Sequence, residues 1–150
     1  MDYIDRAEAT RRILAAKERA GLSFEELAQV VGAHEVWVAS ALLGQNTMSS
    51  EQAAAAGKAL ALDEATVAAL SRDAARGSLP AAVPTDPLIY RFHEIVQVYG
   101  TTLKAVIEEK FGSGIMSAID FSMDIDRVDD PRGDRVKVTL NGKFLPYRTW

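Results

Sequence analysis

Apolar side chains recur at helical spacing through most of the first 80 residues, and beyond residue 117 they alternate one for one with polar ones. The first regime predicts helices and the second predicts strands. A helix is expected from about Tyr3 to Ala20, with Ile4, Ile13 and Leu14 on its buried side and Gly21 beyond its end. Ser23 with Glu26 forms a capping box, and Leu22 with Leu27 the matching hydrophobic staple, so a second helix should run from Phe24 to Val31. Gly32 breaks it, and a third is expected from His34 to Leu43. Ser49 and Gln52 repeat the capping box ahead of an alanine-rich helix ending at Leu60, and Asp63 can cap a fifth that reaches roughly Arg76.

Three of the five prolines fall between residues 80 and 87. This predicts an N-terminal helical domain over 1–79, a Pro-rich linker over 80–87 and a C-terminal domain over 88–150. Asp86 followed by Pro87 is a helix start with a mechanism, because the carboxylate accepts from first-turn amides and proline at the first position forfeits no hydrogen bond. That helix is expected to reach Tyr99, with Gly100 as its left-handed cap and a second helix from Thr101 to Phe111. Ile119, Phe121, Met123 and Ile125 then alternate with Asp120, Ser122, Asp124 and Asp126, the period of a half-buried strand whose aspartates face water. A turn at 129–133, a strand through Val136, Val138 and Leu140, and an Asn141–Gly142 hairpin leading to Phe144 and Leu145 complete the pattern. The fold class is therefore α+β, a helical bundle followed by a small domain with short antiparallel strands. Open edges and an apolar face on so small a domain call for homo-oligomerisation.

Charge narrows the function classes. The net charge is −4, with 8 basic and 11 acidic residues before Pro84 and 9 and 10 from there on. Helix, Gly32 turn, helix, with Leu27, Val31, Val36 and Leu42 apolar, resembles the helix-turn-helix of repressor-like domains. That makes a regulator the rival reading. Yet Ala20 to Gly57 holds no Lys or Arg and four glutamates, so the phosphate-neutralising charge that DNA affinity needs is absent, and no nucleic-acid partner is expected. No apolar run approaches the length of a membrane span, and the start of the chain has no apolar signal core. With no cysteine, thiolate chemistry is excluded, and a cytoplasmic location is expected. His34 and His93 fall in different expected domains, which argues against a zinc site. Ser117 lies in GIMSA rather than a G-x-S-x-G elbow, and Gly112-Ser113-Gly114 is not a phosphate loop.

The informative stretch is PTDPLIYRFHEIVQVYGTTLKAVIEEKFGSGIMSAIDF, residues 84–121. On a helical wheel Leu88, Phe92, Ile95 and Tyr99 share an arc, Arg91 lies at its border, and Glu94 is three residues on, within reach of Arg91. By itself such a pair is more often an ordinary surface ion pair worth ~0–1 kcal/mol. As a continuous run, however, the stretch resembles the cyanases, enzymes that decompose cyanate with bicarbonate, and LNGKFLPYRTW is similar to that family's C-terminal strand and tail. The resemblance implies Arg91, Glu94 and Ser117 as catalytic residues and Arg91, Ser117 and Leu145 as substrate-binding ones. It implies bicarbonate as co-substrate with no metal or cofactor, and five intertwined dimers in a ring, a homodecamer with sites between subunits. His93 departs from the family's usual residue and is given no role. A regulator whose C-terminal half binds an anion and dimerises is the alternative.

Overall fold

The computed structural model describes residues 3–150 as six helices followed by a two-stranded antiparallel sheet, so the fold is α+β. Its contacts divide the chain into two units, Met1–Ser78 and Leu79–Trp150.

The first unit holds five helices: α1 (Arg6–Ala20), α2 (Phe24–Val31), α3 (Glu35–Leu42), α4 (Ser50–Leu60) and α5 (Glu64–Leu70). Their starts follow the capping chemistry. Ser23 and Ser49 each accept from the amide three residues on, and Glu26 and Gln52 reach back to the cap amides, closing both boxes. Asp5, His34 and Asp63 cap the other three. Ile13, Leu27, Val38, Leu42 and Leu70 are fully buried and form one core with Ala41, Ala53 and Ala56. Small residues let the helices approach closely. A Cβ on Gly57, for example, would overlap the Val67 side chain. Arg6 ties three elements together by donating to the carbonyls of Ala69 at 2.6 Å, Asn46 at 2.8 Å and Ala41 at 3.3 Å.

Two expectations fail here. Leu14 is exposed rather than buried, because the buried stripe of α1 runs through Ala9, Ile13 and Ala16. α5 stops at Leu70 rather than near Arg76, because its C-terminal backbone groups are claimed from outside. The Met48 amide donates to the Leu70 carbonyl at 2.9 Å, and the Thr47 hydroxyl donates to the Arg72 carbonyl and accepts from the Ala74 amide.

The second unit contains one 25-residue helix, α6 (Pro87–Phe111), and two strands, β1 (Gly114–Val128) and β2 (Arg135–Pro146), which pair in a long hairpin. Asp86 caps α6 through the Leu88 and Ile89 amides, both at 2.9 Å. The expected break at Gly100 does not occur. Gly100 is not among the residues with positive φ, and α6 runs through it without a cap. Nor is Asn141–Gly142 a turn. Both lie inside β2, opposite Ser122 and Phe121, so there are two long strands where three short ones were expected. In a single chain α6 buries no residue, and Leu88, Phe92, Ile95, Val96, Val98 and Tyr99 are all exposed. Among the described residues of this unit, only Ser117 is buried.

Candidate active site

Arg91 and Glu94 project from the second turn of α6, three residues apart and hence on neighbouring positions of one face. The guanidinium donates to the Glu94 carboxylate through Nη1 at 2.7 Å, and its charged head lies 5.6 Å from the Tyr90 ring centre. In one chain the Arg91 side chain is 60% exposed, so the pair is well formed but not enclosed. Neighbouring His93 tilts against Tyr90, with ring centres 5.7 Å apart.

Ser117 is held differently. β1 and β2 pair in register from Gly114↔Pro146 to Met116↔Phe144, lose register, and resume at Phe121↔Gly142. Ser117 opens that irregularity and is 7% exposed. Its hydroxyl oxygen accepts from the Ile119 amide at 3.1 Å and the Asp120 amide at 2.9 Å. With both lone pairs used, the hydroxyl proton is what Ser117 has left to offer. Gly142 makes this arrangement possible, because a Cβ there would overlap the Ser117 carbonyl. The Asn141–Gly142 pattern predicts a turn, yet this glycine lies within β2. Nothing local marks its true partner, which depends on the register of the hairpin.

Leu145 faces Ile115 across the strands, two pairings from Ser117 and partly exposed. Arg91 and Glu94 are not brought to these groups within one chain. The helix meets the hairpin at its far end, where Phe111 stacks on Phe144 with centres 5.2 Å apart, and neither strand packs along its length. Arg91 lies twenty residues before Phe111, about 30 Å along the helix axis at 1.5 Å per residue. The aspartates of β1 are exposed, and among the described residues no group of three or more His, Asp or Glu side chains gathers as a metal site. No helix is long and apolar enough to cross a membrane.

An α+β chain with an Arg–Glu pair on one long helix and a pinned serine at a strand irregularity matches a known enzyme class along its length. The family model for the N-terminal part of cyanate hydratase matches residues 6–72, and that for the cyanate lyase C-terminal domain matches residues 81–149, so the chain belongs to the cyanate lyase family. Among its relatives are a cyanate hydratase of Synechococcus sp. (strain CC9311), 57% identical over 94% of both chains, and one of Ralstonia pickettii (strain 12J), 54% identical over 98% of this chain and all of that one. The crystal structure of cyanase from T. urticae superposes with a TM-score of 0.79 at 38% identity, covering 92% of this chain and 96% of the other. These full-length likenesses do not favour the regulator reading.

Proposed function

We propose that this protein decomposes cyanate to ammonia and carbon dioxide in a bicarbonate-dependent reaction. The observation that carries the reading is likeness, over nearly the whole chain, to proteins named cyanate hydratase. Bicarbonate oxygen attacks the cyanate carbon, the carboxylated carbamate loses carbon dioxide, and the remaining carbamate breaks down to ammonia and a second carbon dioxide. Two protons are consumed overall. No enzyme nucleophile is needed, and no metal or organic cofactor enters the scheme.

The physical obstacle is that both reactants are anions. Two unit charges 4 Å apart repel by ~4 kcal/mol at an effective dielectric of 20. Arg91 answers this with a permanent charge and several rigid donors suited to planar oxyanions, while Glu94 holds the guanidinium in orientation. Ser117 donates its one uncommitted proton to substrate or to charge developing in the transition state. Leu145 lines the wall of the site. Most of the rate enhancement then comes from positioning and anion stabilisation.

The site forms between copies of the chain. The separation of Arg91 from the hairpin within one chain supports this, as does a second unit that has no apolar core of its own. A lone hairpin is at best marginally stable, so α6 and the sheet need neighbours to cover them. We infer a ring of five dimers.

Purified protein given cyanate and bicarbonate is expected to release ammonia, and the rate should collapse when bicarbonate is removed. Absence of ammonia in both cases, or bicarbonate-independent release, overturns this reading.

A further inference from the structure

We propose that Lys143 is a second cationic group of the substrate site, binding one of the two anions beside Ser117; this rests on the cyanate reading above. The strand pairing leads to it. Gly114↔Pro146, Ile115↔Leu145 and Met116↔Phe144 define one register, and one step beyond it Lys143 falls opposite Ser117, where β1 departs; one step back from the register that resumes at Phe121↔Gly142, the same lysine falls opposite Asp120, so it spans the bulge that Ser117 opens. Strand alternation places Ser117, Lys143 and Leu145 on one face of the hairpin. The two strands stay in contact at that point, since Gly142 lies against the Ser117 carbonyl. Beside it is an open cleft of about 440 Å³ lined by Asp120, Phe121, Ser122, Asn141 and Lys143.

Charge counting supplies the reason. Arg91 and Glu94 cancel and Ser117 is neutral, so two monoanions would enter a site of no net charge. The other cations of this unit are committed or misplaced. Lys104 pairs with Glu108, Arg127 with Asp134 and Arg132 with Asp130, while Arg135 and Lys137 lie with the latter two at the turn end of the hairpin. Lys110 is in the last turn of α6, and Arg148 follows β2. Of the β2 cations that alternation puts on this face, Lys143 is the one at the Ser117 end of the hairpin, and among the described residues no carboxylate lies within ion-pairing distance of it. Asp120 shares the cleft and offsets part of the ammonium's field, so a moderate effect is expected rather than abolition.

The test compares the assembled wild-type protein with Lys143→Met, Lys143→Gln and Lys143→Arg. Azide, a linear monoanion of cyanate's shape, serves as an unreactive probe. The two neutral variants should lose roughly five- to twentyfold in kcat/KM for cyanate and weaken azide inhibition by a similar factor, while Lys143→Arg recovers most of both. Should Lys143→Met fail to assemble, Lys143→Gln against Lys143→Arg decides. Unchanged azide inhibition in an assembled neutral variant overturns the assignment, as does a Lys143→Arg protein no better than Lys143→Gln. If the wild-type protein releases no ammonia from cyanate, the underlying reading fails instead, and that outcome is seen before any variant is measured.

Discussion

Arg91 and Ser117 should respond to truncation in opposite structural ways. The Arg91 side chain is largely exposed in one chain and makes a single ion pair, so Arg91→Ala should leave helicity and the fold of the protomer intact while removing nearly all cyanate turnover. Ser117→Ala removes a buried hydroxyl that accepts from two backbone amides of exposed residues, a loss of about 0.5–1.5 kcal/mol for each hydrogen bond. It should therefore lower the melting temperature as well as the activity, and thermal unfolding beside an ammonia assay separates the two cases. Near-normal turnover in Arg91→Ala would remove that residue from the chemistry. The helix caps give a second expectation at this scale. Hydrogen bonds from the Ser23 backbone hold the Glu26 carboxyl below the usual carboxylate range, and those from the Thr66 amide do the same for Asp63. Because folding lowers both pKa values, their contribution is fully present above the unfolded carboxylate range and is lost as pH falls through the folded values. Acid titration of Glu26→Gln and Asp63→Asn proteins should show a shallower loss of stability than the wild type, and an unchanged slope would remove the caps as its source.

Local chemistry made the elements of the first unit legible. Capping boxes act within four residues, so Ser23/Glu26 and Ser49/Gln52 announced α2 and α4 at the right places. Two of the departures involve residues whose partner is distant in sequence. α5 was read too long because Thr47 and Met48 claim its last carbonyls, and Asn141–Gly142 was read as a turn because β1, not the local backbone, sets the demand for a residue without a Cβ. Gly100 was misread for a different reason, since a glycine in a helix need not adopt positive φ and this one does not. For the candidate site, helical spacing gave the Arg91–Glu94 contact directly. The burial of Ser117 and its two amide donors were hidden, because they follow from a register shift that no periodicity encodes. That shift can be probed. Gly142→Ala should force β2 away from the Ser117 carbonyl, costing about 1–3 kcal/mol as an overpacked contact and depressing activity although the substituted position carries no functional group. Crystallography or amide exchange at residues 117–120 would check it, and a variant of full activity and stability would show the close approach to be dispensable.

Across the whole molecule the two units differ in what they can do alone. If Arg91 and Ser117 reach one site from different copies, mixing inactive Arg91→Ala and Ser117→Ala subunits under conditions of exchange should restore part of the wild-type activity. Failure of all mixtures, with exchange confirmed by mass, would place the site within one chain. The contrast in packing also sets an order in time. Residues 6–70 carry their own sealed core, whereas α6 and the hairpin of a single chain leave their apolar side chains to water, for the proposed assembly to cover. Refolding from denaturant should then show an early phase indifferent to dilution and a later one that quickens as protein is added, with catalysis appearing only in the later one. A newly synthesised chain would thus finish its front half unaided and acquire its chemistry only by meeting its sisters. Scarcity of subunits, and not merely of substrate, would limit how fast the activity can be established.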